Sequence, residues 1–423
     1  MPTTPQIALT GLSICAALFA GCASAPEQSP PPEIELTNQW GSAHSETSST
    51  LSTNWLESFP DRQLQALLKA AFENNPSLQI AAARLDQAAA ESSIAKADQL
   101  PTADLGLNAA RQKINTFGPQ STGGVRFDNY DLNLSLSWEL DLWGRLRNLS
   151  SASIGEYQAS IADFEAARLS LAAQVTKTWF NYLAANTQLA LAHTTAQTFQ
   201  DNLNSLEDRY KRGLSEALPL RLQRRQAASA RADVSQFQRQ LDQTARTLDL
   251  LVGRYPSGSI RSEATPELPE LPEAIPAGVP ADLIARRPDL IAAERRLAAA
   301  ETSLSAAKKD RLPRISLTTS GGTSSQEFEN LLDGDFSVWS LGANLAQPIF
   351  QGGRIRANID RSASLQGQAT ASYLEAALQA FYEVETTLAA ETYIREELDA
   401  LTLASNEASA SEVLSKQRYQ SGT

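Results

Sequence analysis

The sequence has very few of the residues on which redox, metal and nucleophilic chemistry depend. Its 423 residues include two cysteines, two histidines and one methionine. Cys15 lies inside an apolar N-terminal run and Cys22 at its end, so the rest of the chain has no thiol. A disulfide framework and a cysteine-based metal cluster are therefore excluded. His44 and His193 are 149 positions apart, which disfavours a histidine metal site or a catalytic dyad.

Positive charge and aromatic residues are also scarce. The chain has 36 basic and 48 acidic residues, a net charge of −12, whereas a nucleic-acid-binding protein needs a basic stripe that neutralises phosphates. Aromatic residues make up 7% of the chain and hydrophobic residues 42%, much of the latter alanine. This composition is typical of long helices packed through small side chains. Since no phosphate loop, catalytic triad or metal spacing occurs either, we predict no nucleic-acid partner, no metal, no cofactor and no enzymatic activity.

The N-terminus has the features of a bacterial export signal. Ile7 to Ala20 is mostly apolar and too short to cross a bilayer as a helix. The sequence Leu-Phe-Ala-Gly-Cys at residues 18–22 resembles a lipobox, in which the cysteine is acylated and becomes the mature N-terminus. We expect a signal peptide over residues 1–21, a lipid such as palmitate on Cys22, and an extended tether rich in Pro, Ser and Thr over residues 22–58.

An ordinary signal peptide is the alternative. It would be cut after Ala25, but Pro26 directly follows that site and obstructs cleavage. The residue after Cys22 is Ala23 rather than aspartate, which favours onward transport to the outer membrane. The lipoprotein interpretation therefore predicts a lipid-anchored protein of the bacterial outer membrane.

An internal duplication organises the rest of the chain. The tetrapeptide at residues 75–78 recurs in related form at 287–290, an offset of 212. Leu100-Pro101 matches Leu312-Pro313 at the same offset. Two further matches have an offset of 209. The first is Gly144-Arg145-Leu146-Arg147 with Gly353-Arg354-Ile355-Arg356, and the second is Arg209, Tyr210 and Gly213 with Arg418, Tyr419 and Gly422. We predict two similar repeats, residues 59–252 and 281–423, joined by a linker over residues 253–280 whose six prolines exclude a helix.

Long stretches of each repeat have the period of a coiled coil. From Ile154 to Tyr210, apolar residues recur every three or four positions for eight heptads, which predicts a helix roughly 85 Å long. Val234 to Leu251 repeats this spacing, as do apolar residues from Leu64 to Leu85. In the second repeat the seam is weaker, around Ile394, Leu398 and Leu401.

Between the helices the period changes to two, which predicts β-strands. Residues 130–140 alternate apolar side chains with Asp, Asn, Ser and Glu, and residues 339–345 repeat the alternation 209 positions later. The expected partner strands are Asp104 to Ala110 and Arg314 to Ser320, with polar loops over residues 111–128 and 321–335.

The alternation fits a membrane barrel better than a soluble sandwich. Tyr130 and Trp138 lie roughly 20 Å apart along the membrane normal, close to the separation of two aromatic girdles. The residues predicted to face lipid are Tyr130, Leu132, Leu134, Leu136, Trp138, Trp339, Leu341 and Leu345. The opposite face, with Asp131 and Glu139, suits a water-filled lumen. Because four strands cannot close a barrel and open edges are costly in lipid, several copies must share one, and three copies would supply twelve strands.

Three motifs resemble those of a known family. Residues 281–294 look like the signature of the TolC-like outer-membrane efflux factors, in their NodT-type lipoprotein branch. Asp-Leu-Trp-Gly-Arg at 141–145 and Gln-Pro-Ile-Phe-Gln-Gly-Gly-Arg at 347–354 agree with that family, and the resemblance covers about residues 55–423. It implies an α+β membrane protein, a homotrimer with a 12-stranded β-barrel and a 12-helix periplasmic tunnel. It also implies a periplasmic adaptor (membrane fusion) protein and an inner-membrane pump as partners.

The resemblance further implies which residues meet the adaptor at the periplasmic tips of the helices. In this sequence they are Arg209, Tyr210, Gly213, Arg418, Tyr419 and Gly422. Each glycine also has a structural interpretation as the positive-φ residue that ends a helix, with the arginine complementing the helix dipole. Pro288 followed by Asp289 is interpreted as a helix start. Asp131 and Glu139 are interpreted as a solvated polar face, the alternative being a bias of the pore towards cations.

The sequence therefore predicts the exit duct of a tripartite efflux system, which passively conducts small molecules such as drugs or toxic compounds. The alternatives are the exit channel of a type I protein-secretion system and a lipid-anchored periplasmic coiled-coil scaffold without a pore. Gly253 lies forty positions after Gly213, whereas only Thr423 follows Gly422. We therefore expect that the second repeat lacks its last helix and that the chain is a truncated copy of a longer protein.

Overall fold

The computed structural model describes residues 40–41, 56, 59, 61–115, 124–260 and 286–421. Within them, the helices and strands follow in the order α1 (Arg62–Asn74), α2 (Pro76–Ala97), β1 (Thr102–Asn115), β2 (Gly124–Leu140), α3 (Arg145–Lys211), α4 (Ala217–Leu251), α5 (Pro288–Lys309), β3 (Arg314–Ser325), β4 (Ser337–Ala346) and α6 (Arg354–Ser421). In this part of the chain, no helix combines the length and hydrophobicity needed to cross a membrane. The predicted signal peptide, Cys22, most of the tether and linker, and Gly422 lie outside the described residues.

The longest predicted seam lies within one helix, α3. Seven seam positions of this helix are buried, namely Leu171, Val175, Tyr182, Ala185, Leu189, Ala192 and Leu203. Ala172, Thr176, Trp179 and Leu183, which lie off the seam, are buried as well. The seam from Leu64 to Leu85 is instead divided between α1 and α2. Pro76 disfavours helical dihedrals at the residue before it, so Asn75 is extended, and its side chain accepts a hydrogen bond from the N–H of Leu78 at 3.1 Å.

The four strands form one antiparallel sheet in the order β1-β2-β3-β4. The pairing within the two hairpins is the same once the offsets of the duplication are applied. Leu105 lies opposite Leu134 in the first hairpin, and Leu317 lies opposite Ala343 in the second. Residues 105 and 317 differ by 212, and residues 134 and 343 by 209. This agreement supports the predicted duplication of the chain.

The first hairpin is longer than the sequence predicts. Both strands continue through Arg111 and Asp128, which are register partners joined by an ion pair at 3.3 Å. The prediction of a loop over residues 111–128 is therefore wrong for its two ends. Cross-strand hydrogen bonding continues past the last alternating apolar residue, so the hydrophobic period ends before the strand does.

The second hairpin also departs from the predicted loop. β3 continues to Ser325, so the first part of the predicted loop over residues 321–335 is strand. The rest of that segment contains two 3₁₀ helices, Phe328–Leu332 and Gly334–Phe336. Leu331 is buried there, and the ring of Phe328 packs edge-on against Tyr130 with centroids 5.7 Å apart.

The chain divides into two compact units, each built from both repeats. The sheet unit contains all four strands and comprises Asp86–Ser160 and Ala292–Glu375 among its described residues. The helix unit takes its described residues from Glu35–Leu85, Ile161–Ile291 and Ala376–Thr423. Its main core is formed by leucines of α1 and by Val175, Trp179, Tyr182 and Leu248.

Candidate functional site

The apolar side chains of the sheet share one face. Cross-strand pairs place Leu105 opposite Leu134 and Leu107 opposite Leu132. The predicted residues of β4 lie on the same face. Leu341 is opposite Thr319 of β3, which is opposite Leu136 of β2. In the same way Trp339 is opposite Gly321, which is opposite Leu134. All eight residues predicted to face lipid therefore lie on one side of the sheet. Leu105 and Leu107 belong to the same face, and their alternation with Asp104, Gly106 and Asn108 was the signal for it.

Exposure on this face rises towards the two edges of the sheet. On the inner strand β2, Leu136 and Trp138 are 37% and 39% exposed. On the edge strands the values are 64% for Leu107, 76% for Leu341 and 83% for Trp339. Single exposed apolar residues are common on proteins, but a contiguous apolar face as exposed as this one marks a membrane or interaction surface.

The opposite face of the sheet is polar and hollow. A depression of about 460 Å³ is lined mainly by polar residues, Asp104, Asn108, Asp131, Asn133, Ser135, Ser320 and Thr323, and also by Leu105, Gly106, Leu107 and Val338. Asp131 accepts a hydrogen bond from Asn129 at 2.6 Å. Gly322 lies on this face, and a Cβ there would be 2.0 Å from the carbonyl oxygen of Leu132, so only glycine allows β3 to approach β2 at this point. The face has the chemistry of a wall in contact with water.

The junction between β2 and α3 is closed by polar contacts. Arg145 forms an ion pair with Glu139 at 2.7 Å, and its Nε lies 4.0 Å from Asp310. The indole N–H of Trp143 donates to the carbonyl of Pro313 at 2.7 Å, which ties the first repeat to the second. Burial lowers the pKa of Lys309, which donates to the carbonyl of Gly144; Asp141 opposes that shift and Arg147 adds to it.

The corresponding junction between β4 and α6 is open. Gly352 stands at the position of Trp143 and Pro348 at that of Glu139, so neither contact of the first junction can form. Ile349 and Phe350 are 89% and 88% exposed, and Arg354 donates to Gln351 instead of to a carboxylate. A hollow of about 540 Å³ lies here, and its lining includes Asp310, Arg314, Pro348, Arg354 and Asn358.

The first predicted tip lies where α3 ends. Gly213 has a positive φ of +76°. Its N–H donates to the carbonyl of Tyr210 at 2.9 Å, and the N–H of Leu214 donates to the carbonyl of Arg209 at 2.8 Å. This is a Schellman motif, so the structural interpretation of Gly213 is confirmed. The side chains of Arg209, Tyr210 and Leu214 are exposed, and so is that of Leu218 at the start of α4. The tip thus offers both basic and apolar surface.

Of the second predicted tip, Arg418 and Tyr419 lie near the end of α6, where Arg418 is exposed. Gly422 lies outside the described residues. The three apolar residues of the weak seam, Ile394, Leu398 and Leu401, are exposed on α6 at 62%, 44% and 59%.

A charged cluster fixes the start of α5, as the sequence predicts for Pro288. Arg287 forms ion pairs with Asp289 at 2.6 Å and with Glu383 of α6 at 2.8 Å. Burial opposes ionisation of Asp289, but the hydrogen bonds and charge of Arg287 outweigh it and lower the pKa of that carboxyl group. Hydrogen bonding from Gln379 and from Arg287 also lowers the pKa of Glu383. Sequence reasoning missed Glu383 as a partner, because it is distant in the chain.

Two residues of the predicted tether contact α6. Trp40 is buried, with its ring 6.0 Å from that of Phe381, and the N–H of Gly41 donates to Glu385 at 2.8 Å. Tryptophan in a Ser- and Thr-rich segment was the available signal for this contact. Among the described residues, no cluster of His, Cys, Asp and Glu could hold a metal ion.

Comparison with known proteins gives concordant matches. The family described as "Outer membrane efflux protein" matches residues 67–254 and 279–423. Outer membrane protein OprJ of Pseudomonas aeruginosa is 34% identical over 99% of this chain and 88% of its own length. The toluene efflux pump outer membrane protein TtgF of Pseudomonas putida is 31% identical over 96% of this chain and 86% of its own. The solved outer-membrane channel OprN superposes with a TM-score of 0.86 at 26% identity, over 95% of this chain and 90% of that one.

Proposed function

Because the chain belongs to the outer membrane efflux protein family and is an outer-membrane efflux channel, we propose that it is the exit duct of a tripartite efflux system. Three copies share one 12-stranded barrel, and their helices continue it as a periplasmic tunnel. The duct is passive and conducts small molecules, such as drugs or toxic compounds, that an inner-membrane pump supplies. The name of the toluene efflux relative supports a small-molecule cargo.

The observation that carries this proposal is the two-faced, open sheet. One face is apolar and the other is polar and hollow, as a wall between lipid and water requires. Four strands cannot close a barrel, since the smallest membrane barrels have about eight, and an open edge in lipid leaves backbone groups without hydrogen bonds at several kcal/mol each. Three copies give twelve strands and leave no edge.

Paired substitutions on adjacent residues of β2 test the membrane assignment. Leu134→Lys should destabilise the assembled protein by roughly 2–4 kcal/mol, because it places a charge at mid-bilayer depth on the lipid face. Ser135→Lys, one residue along on the polar face, should be tolerated. The measurement is the midpoint of heat-induced dissociation of the purified oligomer. Equal tolerance at both positions would remove the assignment of β2 to the membrane.

A periplasmic scaffold without a pore is the competing function of a different class. Single-channel recording in planar bilayers separates the two, because a shared barrel gives discrete conductance steps and a scaffold gives none. The family consists of channel proteins, and we propose that this chain has no catalytic activity. A reproducible turnover by the purified protein would contradict that part of the proposal.

The proposed partners are an inner-membrane pump and a periplasmic adaptor protein, and the adaptor meets the helical tips. The exposed basic and apolar surface at Arg209, Tyr210 and Gly213 supports this role, and Arg418, Tyr419 and Gly422 are its counterpart in the second repeat. Arg209→Glu should reduce co-purification of the adaptor, whereas Arg84→Glu, an exposed arginine of α2, should not. Recovery of a protein-secretion ATPase in place of a drug or solvent pump would favour the type I secretion alternative.

The protein is also proposed to carry a lipid on Cys22. Trp40, 18 residues after Cys22, is buried against α6, so the folded protein holds the chain at this point. Cys22→Ser should abolish the acyl mass seen by mass spectrometry and leave assembly intact, since the barrel inserts by its own lipid face. A mature N-terminus at Pro26 would contradict the lipid anchor.

A further inference from the structure

The connection between β3 and β4 folds back onto the sheet. It comprises residues 326–336, which contain the two 3₁₀ helices and which we call the strap. The ring of Phe328 packs edge-on against the ring of Tyr130 on β2. The hydroxyl group of Thr323 on β3 donates a hydrogen bond to the carbonyl of Leu331, whose side chain is buried. The strap is therefore attached to the two inner strands of the sheet.

These contacts lie on the apolar face of the sheet. Side chains two residues apart on a strand point to the same side, so Tyr130 shares its face with Leu132 and Leu134. Ser325 and Thr323 belong to this face as well, because they are opposite Tyr130 and Leu132. Along β2, Tyr130 and Leu132 are half-buried, whereas Leu134 is exposed. The strap thus covers part of the face that the proposed function assigns to lipid.

The strap replaces polar surface by apolar surface on this face. Ser325 and Thr323 carry hydroxyl groups, for which a hydrocarbon environment offers no hydrogen-bond partner. Ser325 is only 5% exposed, and its hydroxyl oxygen accepts a hydrogen bond from the N–H of Glu327 at 3.1 Å. The side chains that the strap presents include Phe328 and Leu332, which are 62% and 85% exposed. Two hydroxyl groups are therefore satisfied by the strap, and large apolar side chains take their place on the surface.

The depth of the strap follows from the charges beyond it. Tyr130 is the last apolar residue of this face of β2 in the direction of the hairpin turn. Asp128, the next residue on the same face, lies about 7 Å further along and forms an ion pair with Arg111 of β1 at 3.3 Å. Such a charge pair belongs in water or among lipid headgroups. The strap therefore lies where hydrocarbon gives way to headgroups, a level at which membrane proteins concentrate aromatic side chains.

We infer that the strap binds the lipid of the outer leaflet and that Phe328 and Leu332 insert into it. The inference rests on the proposed barrel and adds a lipid contact outside the strands. Both hairpins turn at the end of the strands away from the helices, so with periplasmic helices the strap faces the outer leaflet. A neighbouring copy fits this surface less well, because Phe328 lies over an inner strand, whereas other copies meet the edge strands.

The charge of the strap indicates how it binds lipid. It has four acidic residues and no basic residue, so attraction to lipid phosphate does not hold it to the bilayer. Insertion of the apolar side chains remains as the source of binding. Vesicles of zwitterionic phosphatidylcholine are therefore a sufficient probe.

A fluorescent label at residue 332 measures the insertion. The full chain with Cys15→Ala and Cys22→Ser is labelled at Leu332→Cys with an environment-sensitive dye and reconstituted as the oligomer in these vesicles. One set of vesicles contains lipid with a nitroxide quencher near the headgroup, and a second set contains lipid with the nitroxide near the middle of the acyl chain. The shallow nitroxide should quench the label at least about twofold more than the deep one. Iodide in the surrounding water should quench it little.

Two further labels calibrate this result. Leu134→Cys, which the proposed function places at mid-bilayer depth, should be quenched more by the deep nitroxide. Val338→Cys, opposite Gly322 on the polar face, should be quenched by iodide and by neither lipid.

Three results overturn the inference, and they differ in what else they refute. Lipid quenching at residue 134 without lipid quenching at residue 332 refutes the inference and leaves the barrel intact. Shielding of residue 332 from both iodide and lipid also refutes it, because protein rather than lipid then covers the strap. Absence of lipid quenching at both positions refutes the proposed function together with the inference.

Release of the strap supplies an independent test. Leu331→Ser removes the buried apolar anchor, so iodide quenching of the label at residue 332 should rise at least about twofold and lipid quenching should fall. Val125→Ser, at an exposed apolar residue on the opposite face of β2, is the matched control and should change neither. Unchanged quenching in the Leu331→Ser protein would overturn the inference, because insertion would then not depend on docking of the strap.

Discussion

The sheet unit and the helix unit bury different kinds of side chain. Of the thirteen apolar residues buried in the described part of the sheet unit, seven are alanine, and Gly155 of α3 lies directly against Ala299 of α5. The helix unit is centred on Trp179, which is 1% exposed and stacked on Tyr182 with ring centroids 5.6 Å apart. Helices with small side chains can approach closely but have no room for added atoms. A core of large side chains loses most stability when a substitution removes atoms and leaves a cavity.

The largest effect is expected from deletion in the helix unit. Trp179→Ala should cost about 3–5 kcal/mol, because it removes a buried aromatic side chain and leaves a cavity. It also removes the hydrogen bond from the indole N–H to Asp61 at 2.7 Å, a residue whose carboxylate holds the start of α1. Thermal unfolding measures the loss. Trp179→Phe keeps the stacking on Tyr182 and should lose roughly half as much stability. A Trp179→Ala protein with an unchanged melting temperature would refute this account of the core.

An intermediate effect is expected from addition in the sheet unit. A Cβ at Gly155 would lie 3.0 Å from Cβ of Ala299 and 3.4 Å from the carbonyl oxygen of Arg295. Gly155→Leu should therefore force the two helices apart and cost about 1–3 kcal/mol. Gly367→Leu on α6 is the control, since its Cβ would meet nothing within 4 Å. Ala299→Gly should recover part of the loss; a neutral Gly155→Leu would show that this contact is not close.

The smallest effect is expected at the charged cluster of the helix unit. Asp289 and Glu383 have lowered pKa values in the folded protein, so their contribution to stability is present above the pKa values of the unfolded chain and is lost as pH falls through the folded ones. Arg287→Gln should cost roughly 1 kcal/mol at pH 7, a modest amount because both carboxylates are nearly half exposed.

The pH dependence supplies the check. The difference in melting temperature between Arg287→Gln and the original protein should narrow as the pH is lowered through the carboxyl range, because protonated carboxyl groups gain little from the arginine. Arg84→Gln, at an exposed position of α2, should have the melting temperature of the original protein both at pH 7 and in the carboxyl range. A difference that widened in acid would contradict a stabilising role for the two ionised carboxylates.

The sequence correctly predicted the features that leave a regular spacing of apolar residues along a short stretch of chain. The family and the α+β fold class, with long helices and two β-hairpins, are confirmed. The alternation at Tyr130–Leu140 revealed a strand because side-chain direction repeats every two residues. The ends of the strands were not visible, because Arg111 and Asp128 are held by cross-strand pairing rather than by hydrophobic period.

Contacts between distant segments could not be predicted from one sequence. Gly155 against Ala299, Arg287 with Glu383 and Trp40 on α6 each join residues far apart in the chain. No local pattern specifies which helix faces which. The duplication was the exception, because it related positions 209 and 212 apart and thereby fixed equivalent places in the two hairpins.

The two unlike edges of the sheet have a genetic consequence. β1 and β4 are the edges of the sheet. In the proposed trimer each copy offers β1 to one neighbour and β4 to the other, so the contact is head-to-tail and the ring closes only if both edges of every copy are intact. A copy with a ruined β4 and an intact β1 would still enter assemblies and stop them from closing. Co-expressed at equal dose with the original gene and mixed at random, it would leave about one ring in eight free of the defect. Such an allele would be dominant over the normal one, whereas a copy that fails to fold would be recessive.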